Sequence, residues 1–187
     1  MSKILIINSA EPESTEFTEP LKKFVHGEGF MPVVIEYEDA LQIDLNPFYG
    51  IIISGSPQGD DIVEHHKPYF EWLKKYEKPV FGICAGHHIT GALYGARLLR
   101  GEESESGDFE IRILENDPLF KGLPMVQNVK QMHNDSITVP DSFQLIATAS
   151  TCKNQVMKHK EKPLYTSQFH PEFYNNDLIR NFLRLCK

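Results

Sequence analysis

Pro79-Val80-Phe81-Gly82-Ile83-Cys84-Ala85-Gly86-His87-His88 is an apolar run that stops at a cysteine with a glycine two residues to either side. The residues up to Ile83 have the character of a buried strand, and Gly86, Ile89, Ala92 and Leu93 have the spacing of a helix that follows at once. Cys84 therefore falls on the bend between them, in a Gly-x-nucleophile-x-Gly pattern with sulfur in place of a serine hydroxyl. Glycine is required on both sides because so tight a turn leaves no room for neighbouring Cβ atoms. A thiol at a helix N-terminus feels the positive end of the helix dipole, which favours the thiolate. The plainer reading is a packed core cysteine, since free cysteines are commonly buried and inert. Cys152, in a Thr-Cys-Lys-Asn turn, and Cys186, next to the C-terminal residue, carry no pattern beyond that plainer reading.

A thiol nucleophile needs a base, which can be remote in sequence. Of eight histidines, His170 stands out: the strand-like Tyr165–Phe169 leads into it and Pro171 forbids regular pairing beyond it. The residue before a proline is pushed toward extended geometry, and Glu172, two positions on, can share its side. A carboxylate there would fix the imidazole tautomer and leave the second nitrogen for the sulfur. The expected constellation is Cys84, His170, Glu172. Taken without Cys84, His170 and Glu172 also read as a solvated turn.

With these residues in place the chain resembles the class I glutamine amidotransferases, whose glutaminase domain joins a Gly-x-Cys-x-Gly elbow to a late Phe-His-Pro-Glu segment. Ile51-Ile52-Ile53-Ser54-Gly55-Ser56-Pro57 is similar to the family's strand and Ser-Gly-Gly-Pro loop, and Gln131-Met132-His133-Asn134-Asp135 to its Ser-His-Gly-Asp segment. Val156–Tyr165 running into Gln168–Glu172 is similar to the stand-alone glutaminase subunit of archaeal-type GMP synthase. The resemblance implies glutamine hydrolysis through a Cys84-His170-Glu172 triad, with an oxyanion hole of the Ser56 and Ala85 amides and with Gly55, His88, Met132 and His133 on the substrate. It implies no cofactor, and as partner a separate ATP-dependent synthetase that receives the ammonia. Three departures stand out. Ser56 occupies the family's second glycine position, His88 stands where the family usually has glutamine, and Asn8–Glu13 lacks the Asp-x-Gly-x-Gln loop of GMP synthase glutaminases. A γ-glutamyl hydrolase with the same triad and a non-catalytic regulatory module of the same fold remain as alternatives.

Composition sets outer limits. The chain has 187 residues, 41% hydrophobic and 24% charged, without low-complexity segments or internal repeats, which suits a single domain over residues 1–187. A net charge of −7 argues against a nucleic-acid partner. No stretch is long enough to span a membrane, and three cysteines without pairing pattern fit a reducing, cytoplasmic setting. There is no Gly-x-x-x-x-Gly-Lys loop to hold ATP. Asp60, Asp61, Glu64, His65 and His66 are metal-ligand types, but their spacing matches no recognised signature and reads as a solvated loop and helix start; no metal is implied. Lys158–Lys162 reads as a charged hairpin connection.

Strand-like and helix-like segments alternate, predicting an α/β fold, an open and mostly parallel sheet with helices on both faces, flavodoxin-like. Strands are expected at Ile4–Ile7, Val33–Glu36, Ile51–Ser54, Val80–Ile83, Phe109–Leu114, Val129–Met132, Phe143–Ala147 and Gln155–Lys158. Helices are expected at Glu19–Glu28, at Lys67–Tyr76 and after a cap at Asn176 or Asp177. In such a sheet the chemistry gathers at the carboxyl ends of strands, where Gly55, Cys84 and His170 would meet.

Overall fold

The computed structural model describes residues 1–187 except 59 and 60. Its strands are β1 (Lys3–Asn8), β2 (Met31–Glu36), β3 (Phe48–Ile53), β4 (Val80–Ile83), β5 (Leu98–Leu99), β6 (Glu105–Ile113), β7 (Val126–His133), β8 (Ser136–Ile137), β9 (Phe143–Thr148), β10 (Val156–His159) and β11 (Leu164–Ser167). Helices are α1 (Thr18–Gly27), α2 (Val63–His66), α3 (Ala85–Leu93), α4 (Pro171–Tyr174) and α5 (Asn176–Leu185). Nine strands form one sheet in the order β2-β1-β3-β4-β11-β10-β9-β6-β7, and β5 with β8 forms a small second one.

The expected α/β architecture is present, and the sheet is parallel only as far as β11. β2, β1, β3, β4 and β11 run parallel, whereas β11, β10, β9, β6 and β7 pair antiparallel. Connection length explains the change. A parallel return needs a crossover of a dozen or more residues, and the turns between β9 and β10 and between β10 and β11 are too short for one. The basic stretch ending at Lys162 forms the second of these turns.

Alternation along the parallel strands sorts the core into two layers. Ile4, Ile6, Ile52, Phe81 and Ile83 pack with Leu21 and Val25 of α1 and with Leu178, Ile179 and Phe182 of α5. Leu5, Ile7, Ile51, Ile53 and Val80 face the other way, onto Ile89 and Leu93 of α3 and onto Phe70 and Leu73. Period-two strands buried on both faces require this division.

Three local expectations change. Lys67–Lys74 is a 3-10 helix, with Pro68 in its first turn, and not an α-helix. The last helix begins one residue earlier than expected, after Asn175, whose side chain makes no capping bond. β6 starts at Glu105 rather than Phe109, because the strand's polar first half pairs with β7 out to His133. Among the described residues no helix is long and apolar enough to cross a membrane.

Candidate active site

β4 delivers Cys84 directly onto the first turn of α3. Its backbone sits at φ 49, ψ −100, a left-handed conformation that residues with a Cβ rarely adopt and that marks strain at functional turns. Both flanking glycines are needed. A Cβ on Gly82 would lie 2.6 Å from the Gly86 carbonyl oxygen, and one on Gly86 would lie 2.6 Å from that of Ile53. The bend is pinned by Cys84 N–H donating to the Ser167 carbonyl at 2.8 Å and by the first helical bond, His88 N–H to the Cys84 carbonyl at 3.0 Å. Ala85 is the first residue of α3, where a backbone N–H has no partner within its own helix and points outward from the helix start.

The neighbouring strand positions His170. β11 pairs parallel with β4 in the register Ser167 opposite Ile83, so both chains leave the sheet at the same edge. Two hydrogen bonds steer the backbone beyond β11: Gln168 N–H donates to the Gln155 carbonyl at 2.8 Å and His170 N–H to the Lys130 carbonyl at 3.0 Å. Pro171 then starts α4, which places Glu172 in that helix's first turn. His170 Nδ1 and Glu172 Oε1 lie 2.8 Å apart, with side chains 1% and 0% exposed. The Cys84 thiol hydrogen-bonds the His170 side chain, so the three expected residues are brought together in chain order.

Burial alone would push the His170 imidazole down, but the Cys84 sulfur and the Glu172 carboxylate outweigh it and carry the pKa up to about 10. The sign follows directly. A base held above its ordinary value of about 6.5 contributes stability present in full below that pH and lost as pH rises through about 10. We expect activity that depends on a protonated His170 to hold through neutral pH and to fall as pH passes about 10, read from a kcat/KM profile. A fall centred near pH 6.5 would contradict this electrostatic assignment.

Cys84, Ala85 and His170 open into a cavity of ≈ 490 Å³, within the usual size of a small-molecule site. Ser56, His88, Met132 and His133 line it as well. The Ser56 hydroxyl accepts from Gln58 N–H at 3.2 Å, a side-chain bond that holds the loop turn. His88 Nε2 donates to the Gln168 amide oxygen at 2.6 Å, so one edge of its ring is held by a residue just past β11. Gly55 touches the triad: a Cβ there would lie 2.7 Å from His170 Cε1. His133 Nδ1–H donates to the Asp135 carbonyl at 2.9 Å while its Nε2 meets Glu105 Oε2 at 2.9 Å.

Several wall residues have no sequence signal. Phe17, Gln58, Arg100 and Glu105 line the cavity, yet each lies in a segment whose local pattern is that of a loop or of an exposed strand. Arg100 bridges Asp61 at 2.9 Å and Asp135 at 3.8 Å. Glu105 is buried and accepts from Thr151, His133 and Gln155. Burial pushes its carboxyl up, but these bonds hold it below the usual carboxylate range. Only the buried position of Glu105 explains so many partners.

One reading of a polar cluster needs correction. His66 is not solvated: it is 3% exposed, stacks on Tyr37 at 3.8 Å and bonds the Ser9 carbonyl at 3.1 Å through Nε2. Asp60 lies outside the described residues. Cys152 is fully buried, as the reading of a packed core cysteine expects. Burial, with Glu105 and Glu103 nearby, pushes its thiol well above the ordinary range. Glu105, His133 and Cys152 hold potential ligand atoms within 4.8 Å of one another. The hydrogen bonds already made by Glu105 and His133 describe a cross-linking polar network.

Comparison with known proteins agrees with the fold. Residues 15–186 match the family model for glutamine amidotransferase class-I. The chain is 39% identical over 147 residues to the glutamine-hydrolysing GMP synthase subunit of Pyrococcus abyssi, covering 76% of this chain and 77% of that one. It is 30% identical over 192 residues to the corresponding subunit of Methanothermobacter thermautotrophicus, with 100% of both covered. The solved structure of a protein assigned as a GMP synthase subunit from Thermoplasma acidophilum superposes with a TM-score of 0.89 at 27% identity, covering 100% of this chain and 94% of that one.

Proposed function

The chain belongs to the class-I glutamine amidotransferases, and on that premise we propose that it hydrolyses glutamine to glutamate and ammonia for a separate synthetase. The observation that carries the reading is Cys84 bonded to a buried His170 that is itself held by Glu172, at the floor of a cavity. The Cys84 thiolate attacks the side-chain amide carbon, forming the carbon–sulfur bond and moving the carbonyl electrons onto oxygen. The backbone N–H groups of Ser56 and Ala85 receive that oxyanion, an arrangement in which one donor is worth on the order of 3 kcal/mol. His170 gives its proton to the leaving nitrogen, the carbon–nitrogen bond breaks and ammonia departs, leaving a glutamyl thioester. His170 then takes a proton from water, whose oxygen attacks the thioester carbon; glutamate leaves and the thiolate returns. Glu172 keeps Nδ1 protonated throughout, so the second nitrogen is the one that exchanges protons.

Arg100 beside Asp61 and Asp135 gives the cavity both signs of charge, as a zwitterionic amino acid requires. The relatives are named as one subunit of a glutamine-hydrolysing GMP synthase, which supports an ammonia acceptor on another chain, one that forms GMP. His88 at the family's glutamine position favours a second reading, a hydrolase of larger γ-glutamyl compounds. Incubating the purified chain with glutamine or with a γ-glutamyl anilide separates the two. We expect glutamate and ammonia in equal amounts from glutamine, increased by a GMP-forming synthetase, and little anilide cleavage. Turnover of the anilide alone would replace the amidotransferase reading.

A further inference from the structure

Phe17 lies in a polar amino-terminal loop, flanked by exposed Glu11, Pro12, Glu13 and Glu16, and is nevertheless only 3% exposed. It belongs to neither apolar core layer. The active site is what buries it. Its ring stacks on His170 with centroids 5.0 Å apart and planes 27° apart, and it meets Phe173 at 6.3 Å. It also takes the N-cap position of α1, where no side-chain capping bond is made. A capping side chain would serve the second or third helical amide, but Glu19 N–H is already bonded elsewhere and Pro20 has no N–H, so no orphan donor calls for a cap and the position can carry an aromatic ring. The helix gives the ring a firm base, with Glu19 N–H bonded to the Thr15 carbonyl at 2.9 Å.

We propose that Phe17 is a positioning residue, whose ring lies on the His170 face and keeps the imidazole in the plane where one nitrogen meets Glu172 and the other meets Cys84. The inference rests on the reading of Cys84 and His170 as nucleophile and base. An imidazole with hydrogen bonds only at its edge can still rock about the line joining its partners. A stacked ring on one face, Phe173 tilted at 5.6 Å and Gly55 against Cε1 remove that freedom. An aromatic face also favours the cationic imidazolium that pairs with a thiolate. The titratable groups in contact with the ring are Cys84 from the elbow and Glu172 from α4; Phe17 adds no charge of its own.

The test uses Phe17→Leu, which keeps an apolar filler, and Phe17→Tyr, which keeps the stack. Alkylation of Cys84 by iodoacetamide, followed by peptide mass, reads the thiol–imidazole pair without reference to the amide substrate. We expect Phe17→Leu to slow that alkylation at neutral pH by about tenfold, and to lower kcat for glutamine by a similar factor with KM within about twofold. Phe17→Tyr should stay within about twofold of the parent in both. A leucine variant that alkylates like the parent across the pH range overturns the proposal, as does a tyrosine variant as slow as the leucine one. If the parent hydrolyses no glutamine while leucine still slows alkylation, the positioning role stands and the amidotransferase reading falls.

Discussion

Replacing Cys84 by alanine is expected to lower glutamine hydrolysis by about 10⁴-fold or more, the scale seen when the nucleophile of a triad is removed. The remaining rate would come from binding and from the Ser56 and Ala85 amides, which are backbone groups and survive the change. The fold should survive too. The side chain lost is small, the strained backbone is imposed by β4, by α3 and by the Ser167 bond, and alanine meets the same φ with no larger Cβ. Melting temperature and circular dichroism should therefore match the parent while glutamate release disappears. A GMP-forming partner supplied with free ammonium should work equally well with the variant. Retention of more than about one per cent of the glutaminase rate would assign the chemistry to another residue.

Gly55→Ala is expected to have the second largest effect, though position 55 carries no reactive atom. A Cβ at this position lies 2.7 Å from His170 Cε1, 3.4 Å from Nδ1 and 3.4 Å from Phe17 Cδ1. Cε1 joins the two ring nitrogens, so a push there disturbs the Glu172 and Cys84 bonds together. The imidazole has little space to yield, with Phe17 on its face and Phe173 nearby. Displacements of about 1 Å at a catalytic group commonly cost on the order of 10²-fold in rate, and that is the loss expected in kcat. KM should change little. Cys84 alkylation by iodoacetamide should slow in the same variant; unchanged kcat and unchanged alkylation would show that the ring escapes without leaving its partners.

The elbow is legible in the sequence because each of its requirements is local. An apolar strand, two glycines forced by 2.6 Å approaches to backbone oxygens and a helix beginning at once can be read from ten consecutive residues. His170 and Glu172 are legible for a similar reason, since Pro171 dictates where the strand must stop. The parallel half of the sheet follows from continuous apolar runs. The antiparallel half reads only as separate strands, because short connections determine direction only once the partners are known. Phe17 and Glu105 are invisible: each has its meaning through a residue more than twenty positions away, His170 in one case and His133 and Gln155 in the other. His66 misleads for the same reason, since a histidine among acidic residues resembles a wet loop until Tyr37 covers it.

The parallel pairing of β4 with β11 also sets when the protein becomes able to act. Two strands far apart in the chain must close a long loop before they meet, and closure of that kind comes late in folding. A nascent chain emerging from the ribosome displays the sulfur at position 84 well before the imidazole at position 170. On the proposed mechanism, a nascent copy that has not yet reached residue 170 carries the thiol without its base and should leave amides untouched.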